Sequence, residues 1–74
     1  MKALKKRRTD LNLRQWEVAE RAGIPRVTYT MIELGKRNPT LKTAQKIAIA
    51  LGCSIDELFL PQNVTIHKQG ERDA

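Results

Sequence analysis

The sequence has one cysteine, Cys53, and one histidine, His67. A lone thiol forms no disulfide framework and no zinc ligand set, which suits a reducing cytosol. His67 is far in sequence from Cys53, and no Gly-rich phosphate loop, metal-ligand spacing or Ser/His/Asp set occurs. No enzyme, metal or cofactor is therefore expected. The aromatics are only Trp16, Tyr29 and Phe59, and the third helix described below lacks a row of rings for stacking RNA bases. No apolar run approaches ~18 residues, so no membrane span is expected. The basic N-terminus lacks the apolar stretch of a signal peptide. Acidic residues are scarce: eight Asp and Glu face fourteen Lys and Arg, for a net charge of +6.

What is present is positive charge, unevenly placed. Residues 1–60 hold twelve basic and six acidic residues and so carry the whole net charge; within 1–46 the balance is twelve to four. Residues 61–74 are neutral, with Lys68 and Arg72 against Glu71 and Asp73. A pI near 10.0 suggests a polyanionic partner, most often nucleic acid, against the blander reading of a solubility surface. Hydrophobic residues make up 41% of the 74, a globular proportion, and a chain of this length builds one domain around a single small core.

The pattern along the chain is helical. Residues 2–9, KALKKRRT, favour helix, with Ala3, Leu4 and the later Leu11 as the few apolar anchors. In NLRQWEVAERA, Val18, Ala19 and Ala22 share one helical face, and Gly23 stops the helix. Ile24-Pro25 turns into a third helix, because proline is tolerated in a first turn. That helix carries Tyr29 and Ile32 on one side, ends near Gly35, and is followed by the loop KRNP. TLKTAQKIAIALG is amphipathic: Leu41, Ala44, Ile47, Ala48 and Leu51 form a stripe, Thr40 is the N-cap and Gly52 the stop. SIDELF offers Ser54 as cap with Glu57 three residues later. Ile55, Leu58 and Phe59 close the core, and Pro61 ends the helix. The reading is five short helices with nothing strand-like before residue 63. In NVTIHK, Val64 and Ile66 share one side; a mobile terminus is favoured over an added strand at a dimer contact.

The third helix has an unusual outer face. With ~100° per residue, Ile32 falls beside Tyr29, and Val27 and Met31 fall nearly opposite, flanked by Thr30 and Leu34. Arg26 and Thr28 lie near the helix start. This face suits the DNA major groove better than water. Arginine donates two hydrogen bonds to guanine, and Val or Thr methyls touch a thymine methyl. A recognition helix reads bases mainly with its N-terminal residues, where Arg26 and Val27 stand. The competing reading packs Val27, Met31 and Leu34 against a partner protein or the tail.

QWEVAERAGIPRVTYTMIELGKRNPT resembles the helix-turn-helix of phage-repressor and Cro-type regulators, the XRE family. The matching features are Gln15, the Val18-Ala19 pair, Gly23, the inward Tyr29, and Glu33-Leu34-Gly35-Lys36-Arg37-Asn38-Pro39. KIAIALGCSIDELF matches the family's last two helices, so the likeness covers roughly residues 4–60. Each motif is weak alone; their order and spacing together are specific. The resemblance implies an all-α, compact five-helix lambda-repressor-like DNA-binding domain over 1–60, with a C-terminal tail over 61–74.

It also implies roles. Arg26, Val27 and Met31 match base-reading positions, with Thr28 and Thr30 as flanking candidates. Gln15 matches a phosphate contact at the start of helix two, where helix N–H groups also favour an anion. Lys36, Arg37 and Asn38 match a loop that holds the DNA backbone, and Lys42 is a further phosphate candidate. Arg8 and Glu33 match a pair bridging the first helix to the end of the third.

Three positions depart from the family pattern. Arg14 stands where the cap before Gln15 is usually Ser or Thr, which weakens capping by roughly 0.5–2 kcal/mol and adds a cation beside the expected phosphate. Arg7 occupies a site more often leucine, leaving the first helix a thin apolar face. Trp16 replaces a polar residue, and the DNA edge, the core rim and a dimer contact are all open to it. The implied function is a cytoplasmic, sequence-specific regulator of double-stranded DNA. It is expected to act as a repressor, binding a pseudo-palindromic operator as a homodimer. Helix five with the tail (Leu58, Phe59, Leu60, Val64, Ile66) is the candidate dimer surface. The alternatives are an antitoxin-type autoregulator that also holds a protein partner, or a protein-interaction adaptor on the same fold.

Overall fold

The computed structural model describes residues 1–65; Ile66, His67 and the charged positions of 68–73, on which several expectations fall, lie outside the described residues. The described chain forms α1 (Lys2–Asp10), α2 (Gln15–Ala22), α3 (Arg26–Glu33), α4 (Leu41–Leu51), α5 (Ile55–Leu58) and a 3-10 turn over Pro61–Asn63. The all-α class and the five helices stand as expected from the sequence. Thr40 and Thr65 form an isolated parallel bridge, but no strand occurs among the described residues.

Helix α4 shows how local sequence sets its bounds. The Thr40 hydroxyl accepts from the Thr43 N–H at 3.2 Å, satisfying a first-turn donor that has no helical partner. At the other end Gly52 adopts φ 69°, a left-handed conformation that costs a Cβ-bearing residue energy. Gly23 ends α2 in the same way, at φ 70°. Ala44, Ile47, Ala48 and Leu51 are buried, and α2 packs across α4 and α3. Leu41, expected in the same stripe, is the first residue of α4 and is 40% exposed.

Helix α1 is held differently from the expectation. Leu4 is its one buried residue; Ala3 and Leu11 are exposed, and Leu13 enters the core instead. Asn12 causes the exchange. Its φ of 58° turns the chain sharply after α1 and delivers Leu13 inward. Arg7, at a position with no apolar role, crosses to α4. Its Nε donates to the Leu51 carbonyl at 3.0 Å and its Nη2 to the Gly52 carbonyl at 3.2 Å. A cation on the unsatisfied carbonyls of a helix C-terminus is favourable on both hydrogen-bond and dipole grounds. The thin apolar face of α1 is thus supplemented by a polar clamp 44 residues away in sequence.

Residues 58–65 correct two further expectations. Leu58 and Phe59 are core residues, at 4% and 3% exposure, and so are not free to form a dimer surface; among the other described members of that candidate set, Leu60 is exposed and Val64 is half-buried. Residues 61–65 also do not hang free. The Thr65 N–H donates to the Pro39 carbonyl at 2.7 Å, and the Thr65 carbonyl accepts from the Leu41 N–H at 3.0 Å. These bonds fasten the start of the tail to the segment joining α3 and α4.

Candidate nucleic-acid interface

The surface of interest begins with the turn between α2 and α3. Gly23 reverses the chain after α2, and Pro25, in extended geometry, starts α3. Tyr29 and Ile32, both at 0% exposure, fix the inner face of α3. Their burial forces the opposite face outward. Val27 is 73% exposed and Leu34 58%, and Arg26 is also exposed. Thr28, Thr30 and Met31 are half-buried along the flanks. The five base-reading candidates therefore lie on one short helix with an exposed tip, and none is sealed in the core.

Charge frames this helix. Arg14 and Lys42 are exposed, as are Lys36, Arg37 and Asn38 in the loop after α3. The cations thus sit before α2, after α3 and on the first turn of α4. Arg14 is the N-cap of α2, and its guanidinium has no acceptor with which to cap. Half of a capping box survives: the Arg14 N–H donates to Glu17 Oε1 at 2.7 Å. The exposed guanidinium remains outside the helix start. Trp16 is 45% exposed on the same first turn.

Beneath the outer face lies a buried polar hub. Glu33 is 5% exposed, yet its carboxylate is fully engaged. Arg8 Nε donates to Oε1 at 2.7 Å and Arg8 Nη2 to Oε2 at 2.8 Å, a bidentate pair. The Tyr29 hydroxyl donates to Oε1 at 2.7 Å and Gln15 Nε2 to Oε2 at 3.0 Å. Arg8 Nη1 also donates to the Leu13 carbonyl at 2.9 Å. Burial opposes ionisation of Glu33, but the hydrogen bonds from Arg8, Tyr29 and Gln15 outweigh it and hold the carboxyl down to about 2. Burial, together with the neighbouring Glu33 carboxylate, pushes the Tyr29 hydroxyl well above its ordinary value. The hydrogen bond to Glu33 raises Arg8 further. Among the described residues no buried side-chain nitrogen or oxygen lacks a partner.

The bridge between Arg8 and Glu33 is thus present as expected from the resemblance. Tyr29 joins this bridge as well; it and Glu33 stand four apart on one helix, a spacing at which side chains meet. Gln15 is placed at the start of α2, half-buried, with its amide turned toward α3.

A family model described as Helix-turn-helix matches residues 4–58. The chain belongs to the helix-turn-helix family. The matched span runs from the first buried residue of α1 to the last of α5. An uncharacterised helix-turn-helix transcriptional regulator of Archaeoglobus fulgidus is 40% identical over 57 residues, which cover 77% of this chain and 80% of that protein. The control protein C.MunI of a Mycoplasma species is 41% identical over 59 residues, covering 80% and 77%. The helix-turn-helix regulator YqaF of Bacillus subtilis is 47% identical over 51 residues, covering 69% and 67%. No solved structure matches. Membership makes the chain a DNA-binding regulator of the helix-turn-helix class, with α2 and α3 as its two motif helices. No described helix is long and apolar enough to cross a membrane.

Proposed function

We propose that the protein is a cytoplasmic repressor that binds double-stranded DNA sequence-specifically, as a homodimer on a pseudo-palindromic operator. One observation carries this reading: the outer face of α3 presents Arg26 and Val27 to solvent while the buried Glu33 hub ties the same helix to α1 and α2. A rigid helix with an exposed, sparsely charged face and cations on either side fits the major groove. Arg26 donates to a guanine edge, Val27 and Met31 contact base methyls, and Thr28 flanks them. Arg14, Gln15, Lys36, Arg37, Asn38 and Lys42 hold phosphates and fix the register without reading sequence. In a dimer, the two α3 helices stand about one DNA turn apart, ~34 Å. Repression follows by occlusion of a promoter.

Relatives named as transcriptional regulators support this reading. Selection of bound duplexes from a random pool, with the mass of the complex measured, tests it. The expected result is an enriched inverted repeat bound by two chains. Failure to retain any duplex at low salt would overturn the reading, because phosphate contacts bind most strongly there.

A further inference from the structure

The Gln15 amide is held at both ends. Its Nε2 donates to Glu33 Oε2 at 3.0 Å, and its Oε1 accepts from the Thr30 hydroxyl at 3.2 Å. The assignment of nitrogen and oxygen follows from chemistry. An ionised carboxylate only accepts, so the amide must turn its nitrogen to Glu33; the flipped amide would set two acceptors against each other. The carbonyl then faces α3, where the Thr30 hydroxyl hydrogen meets it.

This arrangement fixes what is left over. An amide nitrogen carries two hydrogens, and Glu33 takes one. The second N–H of half-buried Gln15 is the donor available to a ligand, and a lone donor fits a phosphate oxygen. Thr30 is left in the opposite state. Its single hydrogen is engaged by Gln15, so toward DNA it offers only lone pairs and a methyl group.

We infer that Thr30 is a positioning residue rather than a base reader: its hydroxyl, with Glu33, aims the free Gln15 N–H at a DNA phosphate. This rests on the duplex-binding reading above. The side chain of Thr30 thereby couples α3 to the backbone contact at the start of α2. The two helices settle on the duplex as one unit, and a shift of α3 in the groove displaces the phosphate donor with it.

Thr30→Val keeps the shape and removes the hydroxyl. It should weaken binding to every duplex by the same factor, roughly 2- to 10-fold, the range for one hydrogen bond. The ranking of operator variants should not change. Thr30→Ser, which restores the hydroxyl, should recover the affinity. In a Gln15→Ala background Thr30→Val should have no further effect, because the group it aims is gone. Thermal unfolding of each variant separates a folding defect from a binding defect. A change of preference confined to one base pair would show that Thr30 reads a base and would overturn the inference. Equal losses in the two backgrounds, or no loss in either, would overturn it as well. If the unaltered protein binds no duplex, the proposed function itself fails, and that outcome is distinct from all of these.

Discussion

Arg8 and Glu33 meet through two parallel hydrogen bonds, 2.7 and 2.8 Å long, that join the first helix to the last residue of the third. The pair is almost wholly shielded, with side-chain exposures of 12% and 4%. A shielded ion pair is costly to break from one side, since the remaining charge stays buried without a partner. Arg8→Ala should therefore lower the urea-unfolding free energy at neutral pH by about 3–5 kcal/mol. That is a large share of the stability of a chain this size. A loss below about 1 kcal/mol, the range of exposed pairs, would show that the hub does not hold α3 in place.

The same hub sets a pH dependence. Glu33 ionises near 2 in the folded chain, against 4.5 for an ordinary glutamate. A depressed folded value means that its contribution is complete above about pH 5 and is lost as pH falls toward 2. Denaturant titrations at pH 2, 3, 4 and 5 should show a steeper acid loss in the native chain than in Glu33→Gln. Parallel pH profiles would mean that the carboxylate is not held by these bonds.

The cap of α2 offers a gain of stability. Arg14 has the right extended backbone but no acceptor, so only the Glu17 half of the capping box is made. Arg14→Ser completes the box and should stabilise the fold by ~0.5–2 kcal/mol. It should also weaken binding to all duplexes and flatten the salt dependence by about one phosphate contact. Unfolding and binding measured on one variant check both signs. A stabilised variant with unchanged salt dependence would remove Arg14 from the DNA backbone contacts.

The reach of the sequence differs from element to element. Thr40, Gly52, Tyr29 and Ile32 act through local rules, a cap, a stop and a helical period, and each takes the place those rules predict. The candidate interface was legible for the same reason: a helix with Tyr29 and Ile32 inward must turn Val27 outward. The unexpected features depend on distant partners. Arg7 looked like a gap in the face of α1, since nothing local reveals carbonyls more than forty residues away. Leu11 and Leu13 exchanged roles because Asn12 adopts a conformation that asparagine permits without demanding. Gln15 suited DNA contact through the family resemblance, and Thr30 through its place on the flank of α3. Their mutual hydrogen bond needs α2 and α3 in place before it can be seen.

Thr65 supplies a contact that no side-chain pattern announces. Its carbonyl takes the Leu41 N–H, which as the first amide of α4 has no helical acceptor. Hydrogen exchange should find the Leu41 amide protected. Thr65→Pro, which removes the N–H bonded to Pro39 and upsets the bridge, should release that protection. It should also cost ~0.5–1.5 kcal/mol of stability for the lost hydrogen bond. Exchange of Leu41 at the unprotected rate in the native chain would show that this bridge is not held in solution.

The central claim is that the N-terminal end of α3 reads bases while the loop after it holds the backbone. The most direct measurement is a duplex-preference profile of Arg26→Ala beside that of Arg37→Ala. The account predicts that Arg26→Ala relaxes preference at one base pair per half-site by ~1–3 kcal/mol, whereas Arg37→Ala weakens all duplexes alike and lowers the salt slope. A uniform loss for Arg26→Ala, with every base preference intact, would contradict it.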